Sequence, residues 1–146
     1  LSAMGAIMGC LAGPLIGGKL GRRPAYFGIC LCALICSGVL FRLDLEYGTT
    51  MKILIFLTGG AASAFYGWFP LYLPELFPTR SRATGQGVAY NSGRIFAAAG
   101  AVAGGQLVAV FDGDYAKMGS VITLIYILGM ILIWLAPETK GKPLPD

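Results

Sequence analysis

The chain of 146 residues is 56% hydrophobic, has only 12% charged residues and has a mean hydropathy of +0.72. A soluble domain carries charge on about a quarter of its residues, so this composition excludes an ordinary water-soluble fold and places the chain in a bilayer. The net charge of +4 does not point to nucleic acid, because the basic residues lie between long apolar runs, as in membrane proteins.

Five apolar runs have spanning length, about 20 residues for a hydrocarbon core of roughly 30 Å. The first covers approximately residues 1–18, and no signal peptide explains it, because comparable runs follow. In it Gly5, Gly9, Gly13, Gly17 and Gly21 recur at every fourth position. Glycine costs a helix about 1 kcal/mol relative to alanine, so this ridge needs a packing reason or a turn reason. Small residues at this spacing let helix backbones approach closely in lipid. Gly5, Gly9 and Gly13 fit that reading, whether the contact is static or one along which helices slide. GGKLGRRP, from Gly17 to Pro24, reads instead as a sharp reversal that needs permissive backbone.

The second run covers about 25–41. Cys10, Cys30, Cys32 and Cys36 all lie inside apolar helices, where they act as small hydrophobes, and Cys-x-Cys without further ligands makes no metal site. After the polar connection RLDLEYGTTMK, the third run covers about 51–76. Its aromatic residues Phe65, Tyr66, Trp68 and Phe69, around Gly67 and the helix-loosening Pro70, form either a cavity wall or ordinary core and lipid contacts. The fourth run, about 83–111, repeats the small ridge at Gly85, Ala89, Gly93, Ala97, Ala101, Gly105 and Ala109. DGDYAK then leads into the fifth run, about 118–136, and a tail at 137–146. Hydrophobic helices joined by short polar turns form an all-α polytopic membrane bundle, since lipid offers nothing to satisfy open strands.

If the helices alternate, Lys19, Arg22, Arg23, Arg80, Arg82, Lys140 and Lys142 share one side. The other side has only Arg42, Lys52 and Lys117, mixed with Asp44, Glu46, Asp112 and Asp114. This bias places the arginine loops and the C-terminus in the cytoplasm and predicts a multi-pass protein of the plasma (inner) membrane. Leu1 then lies on the far side without an initiator methionine, so the chain reads as a piece of a longer protein.

Arg94 lies about eleven residues into the fourth run, roughly 16 Å from its cytoplasmic end at 1.5 Å per residue. An arginine at that depth costs a few kcal/mol and normally faces a bundle interior or a wet cavity. Asn91 and Tyr90 share its helical face. The acids of the chain are Glu75 at a helix end, Asp44, Glu46, Asp112 and Asp114 in the exterior turns, and Glu138 and Asp146 in the tail. The partner of Arg94 is therefore a carboxylate elsewhere in the protein, Glu75 by a long reach, or a bound anion.

GPLIGGKLGRRPAY resembles the loop signature of the major facilitator superfamily, the glycine-rich turn joining the second and third helices of each six-helix half. The family's usual Asp falls at Gly18 and its usual Arg at Lys19. PELFPTRSRATGQGVAYNSGR, from Pro74 to Arg94, resembles the loop between the tenth and eleventh helices of the sugar-porter and metabolite-symporter branches. PETKGKPL, from Pro137, resembles the sugar porters' sequence just after the last helix. The resemblance covers the whole chain and implies helices eight to twelve of a twelve-helix transporter, a partial C-terminal half.

In that family, Glu75 and the arginines Arg22 and Arg23 would belong to a charge cluster that locks helix ends in the outward-open state, with Gly17, Gly21, Arg80, Arg82 and Glu138 in the same motifs. Such pairs are physically sound, because Arg–carboxylate forks are directional and strong when shielded. The bland alternative is that the arginines set topology and meet anionic headgroups. Tyr66, Phe69, Asn91 and Arg94 are the candidate substrate-binding residues.

The function expected is secondary transport of a small organic solute, an organic anion or a sugar, by alternating access with proton coupling. The alternative is a transporter-like receptor that binds its ligand without moving it. With no His and no acid at depth, any proton-coupling residue is expected on the first half, which this chain does not contain. The expected partners are that half, the solute, the proton and the bilayer. No cofactor, metal or nucleic acid is expected. No phosphate-cradling loop appears, so neither ATP coupling nor an enzyme is expected. The chain alone is expected not to transport.

Overall fold

The computed structural model describes residues 1–43 and 46–146, and the Asp44 expectation lies outside them. The described residues form an all-helical bundle with five segments long and apolar enough to cross a membrane: Ser2–Leu20, Arg22–Arg42, Thr49–Leu76, Arg82–Val110 and Tyr115–Leu135. The first two are α1 (Ser2–Leu20) and α2 (Arg22–Arg42). The third is α3 (Thr49–Tyr72) extended by a 3-10 turn, Leu73–Leu76, and the fourth is α4 (Arg82–Val110). The last consists of α5 (Tyr115–Ile122), α6 (Ile125–Leu132) and a 3-10 turn, Ile133–Leu135.

Two helix starts and one interruption differ from the hydropathy reading, and side-chain bonding explains them. The second helix begins at Arg22 rather than near Ala25, because the Glu138 carboxylate accepts the N–H groups of Arg22 at 2.8 Å and Arg23 at 3.0 Å. A free helix start would leave those donors unsatisfied. The fifth begins at Tyr115 rather than near Met118, because the Asp114 side chain accepts the Lys117 N–H at 3.0 Å. The same span breaks at Thr123, whose hydroxyl donates to the Ser120 carbonyl at 2.9 Å while neighbouring N–H groups reach three residues back. Hydropathy cannot register such a local tightening.

The glycine ridge of α1 is its buried face: Gly5, Gly9, Gly13 and Gly17 are its buried residues. A Cβ at Gly5 would overlap the Phe56 carbonyl, one at Gly9 the Gly60 carbonyl, and one at Gly13 the Ala64 carbonyl, all on α3. The contact is reciprocal, since a Cβ at Gly67 would overlap the Cys10 carbonyl. Backbone thus rests on backbone along this seam, the geometry small residues permit in lipid. Beside the seam, Trp68 is 1% exposed and packs with Ala25, Ile29, Tyr72 and Ile133. The α4 ridge behaves differently: a Cβ at Gly93 or Gly105 would meet nothing within 4 Å, and most of α4 is exposed.

Gly9→Ala is expected to force α1 and α3 apart, at about 1–3 kcal/mol for overpacking. Gly28→Ala, where a Cβ meets nothing within 4 Å, is expected to be neutral or slightly stabilising. Thermal unfolding of both variants in detergent checks the contrast.

Candidate functional site

One end of the bundle carries a charge cluster built from sequence-distant segments. Arg22, 8% exposed, directs its guanidinium as a fork onto Glu75: Nε donates to Oε2 at 2.8 Å and Nη2 pairs with Oε1. Its Nη1 donates to the Gly17 carbonyl at 2.8 Å, satisfying an acceptor that the end of α1 would leave open. The Thr139 hydroxyl donates to Glu75 Oε2 at 2.5 Å. Gly21 allows this convergence, since its φ of 103° is a conformation in which a side chain would be strained, and a Cβ there would sit 3.2 Å from the Glu138 carboxylate.

Glu138 caps α2 with an ionised side chain at the positive end of the helix dipole. Burial works against its charge, but N–H donors from Arg22, Arg23, Lys140 and Thr139 outweigh it and hold the carboxyl below the usual glutamate range. The tail is tied down further: the Arg23 side chain donates to the Ala136 carbonyl, Tyr72 Oη donates to the Pro137 carbonyl at 2.7 Å, and Lys140 Nζ reaches the Lys19 carbonyl.

A separate cavity of about 530 Å³ opens between α2, α3, α4 and α6. Tyr66, Phe69 and Arg94 line it, with Phe65 beside them. Tyr26 and Cys30 come from α2, Tyr126 and Gly129 from α6, and Tyr90 from α4. Arg94 lies near the middle of the 29-residue α4, and among the described residues it has neither an ion pair nor a hydrogen bond. Every lining side chain is aliphatic or aromatic apart from that guanidinium and the Cys30 thiol, and four of the rings bear a phenolic hydroxyl.

Residues 19–146 match the family model described as "Sugar (and other) transporter". The chain belongs to the sugar (and other) transporter family. It is 33% identical over 141 residues to the "Probable 4-methylmuconolactone transporter" of Cupriavidus pinatubonensis, covering 97% of this chain and 32% of that protein. It is also 33% identical over 141 residues to "Solute carrier family 22 member 6" of Mus musculus, covering 90% of this chain and 24% of that one. The chain thus spans about a third or less of the relatives it matches. Membership of this family and the five apolar helices make it an integral membrane chain.

The residues singled out by sequence are only partly brought together. Arg22, Glu75, Glu138, Gly17 and Gly21 come together in the cluster. Arg23 joins it through Glu138 and the tail, not through Glu75. Arg82 stands apart, donating to the carbonyls of Pro74, Phe77 and Pro145 at 3.0, 3.2 and 3.1 Å, which fixes the loop before α4. Arg80 is exposed. Asn91 turns its amide back to the Gly87 carbonyl at 2.8 Å and does not line the cavity, because a short polar side chain on a helix competes for its own backbone. Trp68 belongs to the core. Sequence reasoning missed Tyr26, Cys30, Tyr126 and Gly129. Tyr26, four residues after Arg22 on a helix that begins there, was the available signal.

Glu75→Ala leaves the largely buried Arg22 unpaired and is expected to cost about 3 kcal/mol, measured as thermal unfolding of the purified protein. Glu138 also sets an acid limit. Its folded pKa lies below its unfolded value, so the stability it contributes is present above the ordinary glutamate range and is lost as pH falls through the folded value. A pH series of melting temperatures is expected to fall less steeply on the acid side in Glu138→Gln.

Proposed function

We propose that this chain is the C-terminal portion, helices eight to twelve, of a twelve-helix secondary transporter. It moves a small organic anion by alternating access, with substrate held between the two halves near the midplane. The charge cluster is the cytoplasmic lock, holding the ends of α1, α2 and α3 and the tail together in the outward-open state and separating as that side opens. The reading is supported by the loop arginines on one side, by the fork between Arg22 and Glu75, and by family membership.

The single observation that carries the substrate class is Arg94, a mid-helix guanidinium lining an aromatic cavity with no acid beside it. A bound anion offsets the desolvation such a group suffers, whereas a sugar has no need of it. The acids of the described chain lie at helix ends, in turns or in the tail, so any proton-coupling residue belongs to the half that this chain does not contain. The names of two relatives, a 4-methylmuconolactone transporter and a solute carrier, agree with a small organic solute.

Radiotracer uptake by the full-length transporter tests translocation against mere binding. Arg94→Lys keeps the charge but loses the planar fork. It is expected to weaken carboxylate affinity about tenfold, as for a lost charge-assisted hydrogen bond, with expression retained. Arg94→Gln is expected to shift preference toward uncharged analogues. Wild-type affinity in both variants, with only turnover or stability lost, would assign Arg94 to the scaffold.

A further inference from the structure

The rings of the cavity divide by whether another ring already packs on them. Of the six that line it, Tyr26, Phe65, Phe69 and Tyr126 are engaged within the bundle. Tyr26 lies 5.2 Å from Phe65 and 6.4 Å from Phe69, and Phe65 lies parallel to Tyr126 at 6.1 Å. Tyr66 and Tyr90 differ. Among the described residues neither has a ring partner, and they are 62% and 38% exposed where the other four rings are only partly so. Each therefore brings a free aromatic face to the cavity, Tyr66 from α3 and Tyr90 from α4.

Tyr90 also stands one helical turn before Arg94, so ring and guanidinium project from the same side of α4. Around them α4 lines the cavity with Ala89, Gly93 and Ala97, and a Cβ at Gly93 would meet nothing within 4 Å. A flat group can thus lie close to the helix beside the charge. No aspartate, glutamate, asparagine, glutamine, serine or threonine lines the cavity, and Arg94 is its one cation. A polyol needs a matched set of acceptors and donors, and a second carboxylate needs a second counter-charge, because polar groups left unpaired away from water are costly. Aromatic faces offer something else: contact with another ring adds to what burial alone supplies.

We propose that Tyr66 and Tyr90 are ring-stacking residues of the substrate site, and that with Arg94 they take an aromatic monocarboxylate. The inference rests on the organic-anion reading above, in which the carboxylate meets Arg94. The ring of the substrate packs on the two unpartnered tyrosine faces, and its single negative charge matches the single guanidinium. Tyr66 and Tyr90 thus determine specificity through their rings and not through their hydroxyls.

The test measures the apparent affinities of benzoate, cyclohexanecarboxylate and phthalate from radiolabelled uptake by the full-length transporter. Benzoate and cyclohexanecarboxylate share the charge and the size of ring, but only benzoate is aromatic, so it is expected to bind about fivefold more tightly, the contribution of one ring contact. Phthalate, with a second carboxylate on the same ring, is expected to bind more weakly than benzoate. Tyr66→Leu and Tyr90→Leu keep apolar bulk and lose the ring, and each is expected to bring the ratio of benzoate to cyclohexanecarboxylate affinity toward one. Tyr66→Phe and Tyr90→Phe keep the ring and are expected to keep the ratio. These ratios do not depend on how much protein folds. A ratio near one in the unsubstituted transporter, or one that the Leu variants leave unchanged, would overturn the stacking role while leaving the organic-anion reading intact. Phthalate affinity equal to that of benzoate would likewise overturn the single charge alone. If the unsubstituted transporter takes up none of the three acids, the organic-anion reading itself falls, and the stacking role falls with it.

Discussion

The fork between Arg22 and Glu75 is the contact on which one end of the bundle depends. A guanidinium with so little exposure needs partners, and Arg22 bonds to three segments: through its side chain to the Gly17 carbonyl of α1 and the Glu75 carboxylate after α3, and through its backbone N–H to Glu138 of the tail. Removing a partner strands a charge where water cannot repay it. The cluster therefore ties the ends of α1, α2 and α3 and the tail to one residue. Such sharing is what the proposed lock would use, since a set of independent weak pairs would fray one at a time.

Much of this fold was legible in the sequence because lipid simplifies the problem. Five runs of spanning length and the ban on unsatisfied backbone leave little besides a helical bundle. The α1 glycines were equally legible, for four-residue spacing on an apolar helix has few uses and here it meets α3 backbone directly. The helix starts were less so. Arg22 enters α2 only because a carboxylate 116 residues away caps it, and no local pattern contains that information. The break at Thr123 likewise depends on one hydroxyl choosing a carbonyl three residues back.

The site was legible where its residues are anomalous and hidden where they are ordinary. A deep arginine is expensive anywhere in a membrane helix, so Arg94 announces a cavity by cost alone. Asn91 shares its face by spacing, but spacing gives direction and not the competition for a bond, and the Gly87 carbonyl wins it. Tyr26, Cys30 and Gly129 carry no anomaly. Tyrosine, cysteine and glycine are common in membrane helices, and only the approach of α6 to α2 turns these three into one corner of a cavity.

The two small-residue ridges show why sequence periodicity alone does not define a seam. The α1 ridge meets a helix with small residues of its own, Gly60, Ala64 and Gly67, so neither backbone is held off and dispersion contacts accumulate along both. The α4 ridge has the same four-residue spacing, yet α4 meets the described chain mainly at its ends, where Phe77 packs on Gly85 and Ile122 approaches Gly104. Between those contacts, α4 stands across the cavity from α2 and carries Arg94 on its wall. The same spacing thus yields a backbone-to-backbone seam on α1 and, on α4, a wall of the cavity that carries the charged residue.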